Sequence, residues 1–308
     1  MTKPQIRLAP TKKPKQDIEF VFRSYQDLRQ QLGDIDSLAA AIIIATRDLT
    51  DAAAASTDPQ MHLVDRATVH FVSTRHVDFQ RLEPRTVQLL LVGVFQQVEA
   101  FLDAIRNEQE LFGRSVDRQR DGETLLAHTL RTLPGGTLAN QQRLGRERVD
   151  LLDYYRLVRN AFAHEGDEQR LVRAFDNVKG HQALVANDYG LKAPNPVGEL
   201  THDDYLLATR LTKYLATDIC RIAGPTGAAE IISMMKEGDF DDSPVSVITK
   251  RRNNDSRARK AISLWLYSHF VYNVGDHPGV LEEIMAWSAT LPTRRERHRA
   301  RRQGEGRT

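Results

Sequence analysis

Arg159, Asn160 and His164 put a guanidinium, a carboxamide and an imidazole within one short stretch, Arg159-Asn160-Ala161-Phe162-Ala163-His164. An arginine fork holds two non-bridging phosphate oxygens, and an imidazole moves a proton near neutral pH. The residue types therefore suit work on a phosphodiester. Nowhere else in the chain does an arginine precede a histidine with four to six residues between them. A plainer reading stands beside this one, because Arg and His at an exposed helix end also complement the helix dipole. The other histidines, His62, His70, His76, His128, His181, His202, His269, His277 and His298, show no ligand spacing. With a single cysteine, Cys220, the sequence points to no metal site, no disulfide and no cofactor.

A helix from about Glu147 to His164 must carry these groups, with Gly166 placed to end it. At ~100° per residue, Leu151, Tyr154, Tyr155, Val158 and Phe162 form the side expected to meet the core. Asp153, Arg156, Asn160 and His164 fall on the opposite side, and Arg159 lies at the flank. Asn160 and His164 are one turn apart and hence neighbours. Arg159 and His164 do not stack on an ideal helix, so Arg159 must reach around. Groups that point away from their own core need a second copy or a ligand to cover them.

The strongest amphipathic signal is a helix from Pro84 to about Glu110, with Val87, Leu90, Leu91, Val94, Val98, Phe101, Leu102 and Ile105 in one stripe and Glu99 at its margin. Thr201-His202-Asp203-Asp204 reads as a capping box for a helix carrying Leu206, Leu207, Leu211, Leu215 and Ile219, closed by Gly224-Pro225. Before these, 17–31 reads as a helix ended at Gly33. A second, capped by Asp36 or Ser37, closes at Thr57-Asp58-Pro59. Residues 62–79 are ambiguous, with strand character at 68–73. Short helices follow at 123–133, up to the turn Pro134-Gly135-Gly136, and at 228–236. The stretch 165–200 reads as a long, partly structured connection. A basic loop at 250–260 and helices at 261–274 and 280–289 complete an all-α chain.

The 308 residues, 41% hydrophobic and 27% charged, suffice for a sizeable core. No apolar run of membrane-spanning length is expected, the N-terminus does not read as a secretory signal, and a reducing, cytoplasmic setting fits best. Net charge is only +2 but uneven. Basic residues gather in a lead at 1–16 and a tail at 293–308, both expected to be disordered. The loop adds Lys250, Arg251, Arg252, Arg257, Arg259 and Lys260. With Arg156 these are candidate contacts to an RNA backbone, although solvated surface charge is the alternative.

Arg159-Asn160-x-x-x-His164 at a helix end, the 84–110 helix with Glu99, and the capped helix after Thr201 together resemble the HEPN superfamily over 84–223, under half of the chain. The resemblance implies a HEPN-like antiparallel helical bundle, flanked by additional helical segments at 17–83 and 224–292. It also implies metal-independent RNA cleavage by 2′-hydroxyl attack, leaving a 2′,3′-cyclic phosphate and a 5′-hydroxyl. His164 would be the acid–base group and Arg159 the phosphate clamp. Asn160 would orient the imidazole or the phosphate, and Glu99 would position Arg159. A homodimer with the site at its interface, a role in phage defence or as a toxin, and an antitoxin or regulatory partner belong to the same implication. Two alternatives remain open: a non-catalytic HEPN-like module binding RNA, nucleotide or protein, and an all-α interaction protein.

Overall fold

The computed structural model describes residues 19–73, 78–163, 168–238, 245–246, 248 and 254–291. His164, Gly166, Lys250, Arg251, Arg252 and the two basic ends lie outside the described residues. The chain is all-helical, with no strand among the described residues. In order, the α-helices are α1 Arg23–Ala54, α2 Pro59–Val69, α3 Leu82–Leu111, α4 Leu125–Thr132, α5 Gly136–Leu144, α6 Arg146–Ala163, α7 Glu168–Val178, α8 Gln182–Tyr189, α9 His202–Ala223, α10 Ala228–Glu237, α11 Asp255–Phe270 and α12 Pro278–Thr290.

Several elements differ from the sequence reading. Residues 23–54 form one helix, not two. Gly33 lies inside it, and the two expected caps serve otherwise. Ser37 donates back to the Gly33 carbonyl at 2.9 Å, while Asp36 accepts from Tyr205 Oη at 2.8 Å and Lys213 Nζ at 2.6 Å. Side-chain contacts with α9 thus hold α1 continuous where glycine alone argued for a stop. The 68–73 segment is no strand: Asp58 caps α2 by accepting from Met61 N at 2.9 Å, Pro59 sits in the first turn, and Leu63 and Ala67 are buried one turn apart. The 165–200 stretch contains α7 and α8, which bury Leu171, Val178, Val185 and Tyr189, with Gly190 in the left-handed region closing α8.

The basic loop is also shorter than expected. Asn254 accepts from Arg257 N at 2.9 Å and starts α11 at Asp255, so Arg257, Arg259 and Lys260 are helical. The stretch Phe79–Leu111 is long and apolar enough, by length and composition, to cross a membrane, contrary to the sequence expectation; half of its most apolar part is buried inside the protein.

The chain divides into two compact units that are interleaved along the sequence, not consecutive as the expected segments were. The first takes Leu28–Ala100 and Gln141–Ala216. Its core includes Leu32, Leu91, Val94, Phe95, Leu151, Tyr155, Val158, Leu207 and Leu211. The second takes residues 19–27, Phe101–Asn140 and 217–291. It buries Phe22, Ile105, Leu130, Ile219, Cys220, Ile231, Ile262 and Leu266. Cys220 is a fully buried small apolar residue, and burial pushes its thiol pKa up, so it rests as the neutral thiol.

Candidate functional site

Helix α6 follows Gly145, whose positive φ lets the chain turn from α5, and its first turn closes onto the Gly145 carbonyl. Its middle is pinned by two buried tyrosines. Tyr154 donates its hydroxyl to the Asn195 carbonyl, and Tyr155 donates to Asp204 Oδ1 at 2.8 Å. Asp204 also accepts from Asn195 N at 2.9 Å, Asn195 Nδ2 at 2.8 Å and Thr201 N at 2.8 Å. The last of these is the backward bond of the expected capping box, from the third residue of α9 to its cap. Burial raises the Asp204 pKa against the opposing pull of those donors. A buried carboxylate with this many donors ties α6, the 190–200 segment and the start of α9 together in the first unit.

One turn beyond Tyr155, Arg159 turns toward α3 and forms an ion pair with Glu99 through Nη2. Its guanidinium carbon lies 5.9 Å from the centroid of the Phe95 ring, one turn before Glu99 on α3. The Arg159 side chain is only 17% exposed while Glu99 is 47% exposed, so the pair opens to solvent on its acidic side. Arg159 Nε is buried and has no hydrogen-bond partner among the described residues. Asn160 is half-exposed and makes no side-chain hydrogen bond among the described residues. Arg156, expected as an RNA contact, is half-buried and paired with Asp153 at 2.8 Å.

Phe162, expected in the core, is instead half-exposed at the end of α6, where it lines an open groove with Arg81, Arg85 and Leu89. Because Arg159 meets residues 95 and 99 while Phe162 meets Arg85, α6 runs antiparallel to α3 along this seam. Arg257, Arg259 and Lys260 belong to the second unit. There Arg259 is held bidentately by Glu282 and also by Asp255 at 2.7 Å, which lowers the Glu282 pKa and leaves that guanidinium occupied. Arg257 and Lys260 are exposed. Among the described residues, no three His, Cys, Asp or Glu side chains are grouped as metal ligands would be.

The structure therefore brings Arg159 and Glu99 together, with Asn160 beside them on α6. Sequence reasoning missed the Phe95 ring next to Arg159, the Asp204 anchor beneath Tyr155, and the groove at Phe162. Phe95 and Glu99 stand four apart on the most legible helix of the chain, so that neighbourhood carried a signal. The other two depend on which helices meet. No family model, no curated protein and no solved structure matches the chain.

Proposed function

We propose that this protein is a metal-independent endoribonuclease of HEPN type, acting as a cytoplasmic homodimer in phage defence or as a toxin, with a bundle of the corresponding kind in its first unit. The observation that carries the reading is the pairing of Glu99 on α3 with Arg159 on α6, the arginine that stands five residues before His164 in sequence. It gives the resemblance a spatial counterpart: the acid of the long helix meets the arginine of the motif.

In this mechanism the ribose 2′-oxygen bonds to phosphorus while the bond from phosphorus to the 5′-oxygen breaks. One imidazole accepts the 2′-hydroxyl proton, and a second group returns a proton to the departing 5′-oxygen. His164 supplies the first function and its copy in a second chain the other, which is why a two-fold pairing suits the site. Arg159 stabilises charge on the non-bridging oxygens, using donors that Glu99 does not occupy. Glu99 fixes the fork against Phe95. Asn160, half-exposed and with no side-chain hydrogen bond among the described residues, orients imidazole or phosphate.

A non-catalytic RNA-binding module is the second reading, favoured by one specific fact: Glu99 already neutralises the Arg159 charge. The two part in a simple assay. Purified full-length protein incubated with a broad RNA panel in EDTA is expected to leave 2′,3′-cyclic phosphate ends, and His164→Ala to leave none while its circular dichroism is unchanged. Equal treatment of every RNA by both proteins removes the enzymatic reading. Salt-dependent binding without turnover would support the module.

A further inference from the structure

We infer that the groove formed by Arg81, Arg85, Leu89 and Phe162 is a base-binding subsite for single-stranded RNA, placed next to the Arg159–Asn160 site. The inference rests on the RNA reading above and adds where a nucleotide flanking the scissile bond is held.

Three observations carry it. The first is position: Phe162 follows Arg159 by one helical turn, on the side of α6 that meets α3, so both groups lie along one seam. The second is composition: the groove has a cavity volume of about 550 Å³ and offers apolar surface from Leu82, Leu89 and Phe162, with Leu89 57% exposed. Exposed apolar side chains at the foot of a helix gain nothing from water, whereas every base has a π-face that can cover them.

The third is charge. The Arg85 guanidinium lies 6.0 Å from the Phe162 ring centroid, and its only other side-chain contact among the described residues is the neutral Gln88, at 3.1 Å. The Arg81 guanidinium, also on the groove, makes no hydrogen bond or ion pair among the described residues. Two cations that form no ion pair among the described residues, beside an aromatic ring, make the pairing that single-strand grooves use, one part for the backbone and one for the base. Among the described residues the acid on the rim is Asp78, which accepts from Gln80 N at 3.0 Å. An A-form duplex keeps its bases stacked and unavailable to such a ring, so the occupant is single-stranded.

The test uses the full-length protein and fluorescein-labelled ten-nucleotide RNAs carrying 2′-O-methyl groups, which cannot undergo 2′-hydroxyl attack. Phe162→Ala is expected to weaken binding about tenfold, within the range for loss of one stacked base, and Phe162→Trp to retain it. A probe with one abasic position at the bound nucleotide should bind the wild type as weakly as Phe162→Ala binds the complete probe. Arg81→Gln with Arg85→Gln is expected to lower the slope of log Kd against log salt by about 1.4, the counterion release of two single-strand contacts. A purely structural role for these residues would not move that slope.

Unchanged affinity of Phe162→Ala, or an unchanged slope in the arginine pair, overturns the subsite. If the wild type still cleaves RNA in that case, the proposed activity stands without it. Failure of the wild type to bind any RNA overturns both.

Discussion

The Arg159–Glu99 pair decides how far the chemistry of the motif can be trusted, because its two halves are unequally exposed. A half-exposed ion pair contributes little to stability, roughly 0–1 kcal/mol, so its value lies in fixing the fork and not in holding the fold. Glu99→Gln keeps the shape but releases that constraint. We expect it to lower kcat for RNA cleavage by roughly ten- to a hundredfold with KM little changed, the mark of lost orientation. A fall in thermal stability with unchanged kcat would assign Glu99 to structure instead. At the same scale, Glu123 in the second unit is bound by Arg131 Nε at 2.9 Å and by Arg120 N at 3.0 Å, which brings its pKa down to about 2. A carboxylate depressed in the folded state stabilises it above the ordinary value near 4.5 and loses that contribution as pH falls toward 2. Denaturation of Glu123→Gln should therefore show a shallower decline in stability between those values than the wild type.

At the scale of elements, α1 offers the sharpest contrast between sequence and structure. Gly33 is a plausible helix stop on local grounds, yet Leu28, Leu32 and Ala39 are buried along a helix that passes straight through it. A Cβ built at Gly33 meets nothing within 4 Å, and its φ lies outside the left-handed range. Gly33→Ala is thus expected to stabilise the protein by about 0.5–1 kcal/mol, read as a higher midpoint in urea. A loss of stability would mean that α1 is broken there.

The other elements sort by the same logic. Helices α3, α6 and α9 were legible because their apolar stripes are long and their ends carry proline, glycine or a capping acid. Helices α2, α7 and α8 were not, since short segments with β-branched residues read equally well as strand or loop until tertiary burial settles them. The candidate site divides likewise. Residue types and spacing in the sequence gave Arg159, Asn160 and His164, and the resemblance supplied Glu99. Phe162 was misplaced because periodicity assigns a face along the whole helix, whereas at the last turn that face opens onto the groove with Arg81, Arg85 and Leu89.

At the scale of the molecule, two interleaved units share the chain; Arg159 and Asn160 belong to the first, whereas Arg257, Arg259 and Lys260 of the expected basic loop belong to the second. Arg259 shows why a count of cations overstates an RNA surface: Glu282 and Asp255 already hold it. The proposed chemistry therefore depends little on the basic clusters and much on the six residues Arg159 to His164. Its central claim is tested most directly by inducing the wild type and His164→Ala in cells and mapping new 5′-hydroxyl ends in total RNA. The account predicts such ends, recurring at defined positions, with the wild type and their absence with the variant. Identical end profiles from both proteins, expressed to equal levels, would contradict it.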